Sequence, residues 1–190
     1  MRITAGRFSG RKLKPPSGLA TRPTSDKVRQ AVFNILAHND FDCGFALEGA
    51  KVIDLFAGTG ALGLEALSRG AAYCLFVEDG AEARGLIREN IEAFGLTGAT
   101  KLWRRDATKL GAMAPGSGGP FTLAFLDPPY RKDLLAPALE ALRDGGWLEA
   151  NAIAVIECAD DETPPQIDRF VTLDDRLYGE TRIAILHFMD

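Results

Sequence analysis

Lys51-Val-Ile-Asp54-Leu-Phe56-Ala-Gly58-Thr-Gly60-Ala-Leu-Gly63 is the stretch on which the reading of this chain turns. Its first six residues, Lys51–Phe56, form a compact apolar run suited to a buried strand. Glycines follow at 58, 60 and 63, and Gly60–Ser68 reads as a helix that Gly70 stops. A strand, a glycine turn and a helix opening form one half of a βαβ unit. Ala72–Val77 supplies the next strand, and Glu78 ends it 18 residues after Gly60. At that position a carboxylate can accept hydrogen bonds from a ribose diol, while glycine lets backbone approach a ligand closely.

The alternation continues outward. Ala83, Leu86, Ile87, Ile91 and Phe94 repeat at helical spacing before Gly95, and Lys101–Arg104 is a more polar strand. Asp106 follows it, placed either to face a ligand ring or to make a local turn bond. Gly111–Pro120 holds four glycines and two prolines and reads as a loop. Phe121–Leu126 is a fourth strand, Leu134–Leu142 a helix and Ala152–Glu157 a fifth strand. Phe170–Leu173 and Arg182–Phe188 lack a helix-length spacer and should pair antiparallel. The expected architecture is α/β: a doubly wound, mostly parallel seven-stranded sheet with an antiparallel terminal hairpin. Ligands of such sheets bind at the carboxyl ends of the strands, where every motif here lies.

Asp127-Pro128-Pro129-Tyr130 is the most specific motif. Two prolines stiffen the backbone at the end of a buried strand. Asp127 and the Pro128 carbonyl can converge as two acceptors on one NH2 group, and Tyr130 can lie against the face of a base. The glycine loop alone also suits an NAD-dependent dehydrogenase, but the double proline has no role in hydride transfer. His38 and His187 are far apart and lack metal-ligand spacing, so no metal is expected.

The chain of 190 residues, 46% hydrophobic and 25% charged, has the composition of one globular domain rather than a disordered or fibrous protein. No apolar run approaches the roughly 18 residues of a membrane span. Three dispersed cysteines without a CxxC point to a reducing cytoplasm. The net charge of -4 is unevenly spread. Residues 1–40 hold eight Lys/Arg against two acids, and the other 150 hold fourteen against twenty-four. The first 40 residues also read as their own unit. Arg2–Thr4 and Lys12–Lys14 are short extended pieces about Gly6 and Gly10, and Thr24-Ser25-Asp26 offers N-cap oxygens to a helix built on Val28, Ala31, Val32, Ile35 and Leu36, with Lys27, Arg29 and Asn34 largely off that face. A basic extension over 1–40, carrying Arg2, Arg7, Arg11, Lys12, Lys14, Arg22 and Arg29, suits either a polyanion partner or a solvated tail, and 41–190 reads as the domain that holds the glycine-loop site.

Asp54–Gly63, Glu78 and Asp127–Tyr130 together resemble class I S-adenosylmethionine-dependent methyltransferases that modify exocyclic amines. Arg2-Ile-Thr-Ala-Gly6-Arg, Gly10-Arg-Lys-Leu13, Thr21-Arg-Pro-Thr24, Lys27-Val-Arg29, Phe33-Asn-Ile-Leu36 and Tyr178-Gly-Glu-Thr181 narrow the resemblance to the bacterial 16S rRNA (guanine(966)-N2)-methyltransferase family, RsmD. Gln30 departs from the family's usual Glu. The resemblance implies a Rossmann-like fold with S-adenosylmethionine held by Asp54, Phe56, Gly58, Gly60, Glu78, Asp106 and Ala107. It implies Asp127, Pro128 and Tyr130 at the reacting amine, and a monomer acting on 16S rRNA or a small-subunit assembly intermediate. A DNA adenine or cytosine amino-methyltransferase would use the same Asp-Pro-Pro-Tyr chemistry, and a non-enzymatic RNA-binding module would account for the basic extension alone.

Overall fold

A computed structural model describes residues 1–15, 25–38 and 41–189. Seven strands form one sheet: β1 (Lys51–Leu55), β2 (Tyr73–Val77), β3 (Thr100–Trp103), β4 (Phe121–Leu126), β5 (Leu148–Ala159), β6 (Phe170–Tyr178) and β7 (Thr181–Phe188). Their order is β3-β2-β1-β4-β5-β7-β6, with β7 antiparallel to both neighbours and the other pairings parallel. The helices are α1 (Asp26–His38), α2 (Ala61–Ser68), α3 (Ala81–Phe94) and α4 (Leu135–Asp144). The doubly wound sheet and its antiparallel end are as the sequence reading expects.

Side-chain alternation along each strand divides the core into two layers. Val52, Cys74, Phe76, Leu123, Phe125, Ile153 and Ile185 face α1, α2 and α3. Ile53, Leu75, Val77, Ala124, Leu126, Ile156 and Leu186 face α4 and Trp147. Because neighbouring residues point to opposite layers, a one-residue slip would exchange the two sets, so burial on both sides pins the register.

Two strands run longer than their apolar patterns. β5 begins at Leu148, four residues before the expected start, where Leu148 pairs with Phe121 ahead of a register shift. β6 extends to Tyr178 because β7 pairs along its whole length. It is an edge strand with mostly exposed side chains, so hydrophobic pattern carries no signal for it.

The described part of the N-terminal segment is packed onto the body. Arg2 and Lys12 form an antiparallel bridge, and Ile3, Leu13, Val28, Phe33 and Leu36 join the first core layer. Its seat is the far end of α2. The Ser68 carbonyl accepts the Arg7 N–H at 2.8 Å, and the Ser68 hydroxyl donates to the Ala5 carbonyl at 2.6 Å. Gly6 has φ 79, and a Cβ there would lie 1.9 Å from the Ser68 carbonyl oxygen. Only glycine permits that approach. The expected N-cap is present at Ser25, whose hydroxyl accepts the Val28 N–H at 3.2 Å. Thr24 lies outside the described residues.

A buried carboxylate ties these pieces together. Glu65 of α2 accepts the Thr4 N–H at 2.8 Å, the Thr4 hydroxyl at 2.7 Å, the Ala5 N–H at 3.1 Å and Arg69 Nε at 2.7 Å, with Arg29 Nε at 3.3 Å. Burial pushes its pKa up, but the Thr4 and Arg69 donors outweigh this and hold it below its ordinary value.

Candidate active site

The register of β1 with β4 builds the site. Leu55 pairs with Leu126, so Phe56 and Asp127 leave the sheet side by side at the carboxyl edge. Leu55 also pairs with Val77, which brings Glu78 to the same edge. The glycine loop, the ribose-type carboxylate and the Asp-Pro-Pro-Tyr turn are therefore neighbours at the point where strand order reverses.

Phe56, Gly58 and Gly60 have φ of 57, 56 and 77, and these left-handed positions fold the loop back toward α2. Glu78 spans the gap. One of its oxygens accepts the Gly58 N–H at 2.8 Å and the other the Gly80 N–H at 2.7 Å. Asp54 lies beneath the loop, 1% exposed, and accepts the Gly63 N–H at 2.9 Å, thereby binding the first turn of α2 from the adjacent strand. Burial pushes its pKa up to about 8; the Gly63 bond lowers it and the nearby Glu78 charge raises it further. Asp54 thus supports the loop from below.

Asn90 of α3, unremarked in the sequence, braces the same loop. Its amide donates to the Thr59 carbonyl at 3.1 Å, and its oxygen accepts the Lys14 N–H at 3.0 Å. The available signal was a polar residue on an apolar face, since Asn90 lies three residues after Ile87 and four before Phe94.

Asp106 makes the local turn bonds. One oxygen accepts the Thr108 N–H at 2.9 Å and the Thr108 hydroxyl at 2.7 Å, and these bonds hold its pKa below the ordinary value. Ala107 beside it is buried in the layer under α4.

At the end of β4, Asp127 and Tyr130 are half-buried, Pro128 is buried and Pro129 exposed. The Tyr130 hydroxyl donates to Glu157 at 2.7 Å and lies 3.1 Å from the Thr181 hydroxyl. Burial and the adjacent Glu157 carboxylate push its pKa far up, so the phenol stays protonated. Sequence reasoning missed Glu157. It stands in the otherwise apolar stretch Ala152–Ala159 of β5, and an acid there was a visible anomaly.

Among the basic residues assigned to a polyanion, Arg2, Arg7, Arg11, Lys12 and Lys14 are exposed. Arg7 and Arg11 lie over aromatic rings, Arg7 4.6 Å from the Phe8 centroid and Arg11 4.4 Å from that of Phe94. Lys14 pairs with Glu89 at 2.5 Å. Arg29 is a correction. It is fully buried, bonded to Glu65, to Asp26 at 2.8 Å and to the Arg2 carbonyl, so no phosphate can reach it. The sequence reading sets it off the apolar face with Lys27 and Asn34, but its spacing to Val32, Phe33 and Leu36 places it on the inner face of α1. Arg22 lies outside the described residues.

A sheet ordered 3-2-1-4-5-7-6, with a glycine loop and an acid after its first two strands and Asp-Pro-Pro-Tyr after its fourth, defines a Rossmann-like methyltransferase fold. The solved structure of yhhF from Escherichia coli superposes with a TM-score of 0.82 at 30% identity, over 100% of this chain and 98% of that one. The family model described as "Conserved hypothetical protein 95" matches residues 1–187, and the chain belongs to this family, the RsmD family. It is 36% identical over 187 residues to YlbH of Bacillus subtilis, covering 97% of both chains. It is 39% identical over 158 residues to ribosomal RNA small subunit methyltransferase D of Escherichia coli, covering 83% of this chain and 74% of that protein.

Proposed function

We propose that the protein transfers a methyl group from S-adenosylmethionine to the exocyclic N2 amine of a guanine in small-subunit (16S) rRNA. The observation that supports this reading is the pairing of Leu55 with both Val77 and Leu126, which brings the glycine loop, Glu78 and Asp127–Tyr130 to one edge of the sheet. The named activity of the Escherichia coli relative supports the choice of RNA.

The residues present fit the donor. A Cβ on Gly58 would meet no other side chain within 4 Å, so the loop opens outward there. Each Glu78 oxygen accepts one backbone N–H and retains a second lone pair for a ribose hydroxyl. Phe56, Gly58 and Gly60 would complete that wall, with Asp106 and the backbone at Ala107, whose side chain is buried, near its adenine end and Asp54 holding α2 in place. When bound, S-adenosylmethionine supplies an electrophilic methyl group on a sulfonium.

The guanine amine is a weak nucleophile because its lone pair is delocalised into the ring. Asp127 and the Pro128 carbonyl orient it by accepting its two hydrogens, which favours a pyramidal nitrogen with an exposed lone pair. The stiff Pro128-Pro129 backbone keeps these acceptors in place. Holding an amine in near-attack geometry supplies roughly 7–11 kcal/mol of the barrier. Tyr130 offers its ring to the base, which must be unstacked to enter. The exposed cations of residues 1–14 hold the flanking phosphates. The setting of this reaction is the cytoplasm.

Titration calorimetry with the donor and turnover on unmodified small-subunit rRNA test the assignment. Asp127→Ala should leave donor affinity nearly unchanged and abolish most turnover, whereas Asp127→Asn should retain more, because its amide oxygen still accepts one hydrogen. Equal inactivity of the two variants would make Asp127 a required base and overturn the orienting role.

A further inference from the structure

Glu157 takes no part in the chemistry above, yet it fixes the motif's aromatic residue. It is 6% exposed near the end of β5, and a carboxylate so placed is costly unless hydrogen-bonded. The Tyr130 hydroxyl supplies a 2.7 Å bond, and Thr181, which opens β7, stands 3.1 Å from the same oxygen. Tyr130 also lines a cavity of about 100 Å3 shared with Pro128, Leu135, Glu157 and Cys158. The chain turns sharply straight after it, with φ of 57 at Arg131 and 52 at Asp133. That turn is pinned to the segment following β5. Glu162 accepts the Arg131 N–H at 2.9 Å, and the Arg131 guanidinium grips Asp161 at 3.0 and 3.2 Å.

We propose that Glu157, with Thr181, is a positioning residue that sets the Tyr130 ring as a wall of the target-base site. This proposal rests on the amine-methyltransfer reading. Neither residue touches the base. They act through the phenol, which ties the end of β4 to β5 and β7 on the side away from the glycine loop.

The test uses the full chain with S-adenosylmethionine and small-subunit rRNA, and compares Tyr130→Phe, Glu157→Ala, Glu157→Gln and the Tyr130→Phe/Glu157→Ala double variant. Glu157→Ala and Tyr130→Phe should each lower kcat by about ten- to hundredfold, as expected for a misplaced wall, with donor affinity unchanged. Glu157→Gln should retain most activity, since its amide oxygen still accepts the phenol proton. The double variant should be no worse than either single one, the signature of two residues acting through one bond. Additive losses, or Gln as damaging as Ala, would overturn the proposal. A second readout needs no turnover. With 3-fluorotyrosine incorporated, the resonance lost in Tyr130→Phe should shift in Glu157→Ala and stay near its original position in Glu157→Gln. An unmoved resonance in Glu157→Ala refutes the positioning role. A wild-type chain that methylates no rRNA refutes the functional reading instead.

Discussion

Glu78 is the residue on which donor affinity should depend most, because its two oxygens hold the Gly58 and Gly80 amides and in the proposed reading still have lone pairs for the donor's ribose. Glu78→Ala removes charge-assisted bonds and should weaken S-adenosylmethionine binding roughly 10- to 150-fold by calorimetry. Unchanged affinity would relocate the donor site. Two buried carboxylates should respond oppositely to pH. Asp54, raised from 3.8 to about 8 in the fold, binds more protons folded than unfolded across that range, so its contribution to stability falls as pH rises from about 4 to about 8. Asp54→Asn keeps an acceptor for the Gly63 N–H and removes the titration. Its melting temperature relative to wild type should therefore rise between pH 5 and pH 8, and a constant difference would refute the buried neutral acid. Glu65, held below its ordinary 4.5, contributes stability above that value and loses it as acid drives the pH through its lowered pKa.

At the scale of elements, α2 is unusual in being buried from Leu62 to Ser68, enclosed by the sheet on one side and the N-terminal turn on the other. An all-round apolar helix requires such enclosure. Its approach to β2 depends on Gly63, where a Cβ would lie 2.4 Å from Phe76 Cε1 and 2.5 Å from Cys74 Sγ. Gly63→Ala should therefore destabilise the protein by about 1–3 kcal/mol in chemical denaturation, through forced separation of helix and sheet. Wild-type stability in that variant would mean that Phe76 and Cys74 yield freely. The third glycine of the loop thus serves packing, while a Cβ on Gly58 would meet only the Phe56 carbonyl, at 3.9 Å.

Across the whole molecule, basic charge is concentrated at one end of an otherwise acidic chain. Arg7, Arg11 and Lys12 project from the turn seated on α2 and α3, and each neutralised phosphate adds a slope of about -0.7 to -0.9 in log affinity against log salt. Replacing all three with Ala should flatten the slope for rRNA binding by about two units and leave donor affinity unchanged. An unaltered slope would shift RNA contact to Arg104, Arg105, Arg131 and Lys132 near the strand ends. Arg29→Ala is the contrasting case. It should leave the slope intact and cost stability, because its loss strips a buried partner from Glu65.

The order of strands and helices, the glycine loop, Glu78 and Asp127–Tyr130 were all legible in the chain, because hydrophobic period and turn chemistry are local properties. The long edge strand β6 was not, since its ladder partners on β7 come from pairing and not from its own exposed residues. Arg29 could have been placed from helical spacing, yet its pairing with Glu65, 36 residues away, exists only once α1 and α2 meet. The turn bonds of Asp106 are local and among its expected roles, whereas the bracing of Thr59 by Asn90 and the bond from Tyr130 to Glu157 depend on the folded arrangement. Two of these join residues some thirty positions apart along the chain. Folding sets such distances by packing layers against one another, and a desolvated polar group must then take the partner that packing brings within reach.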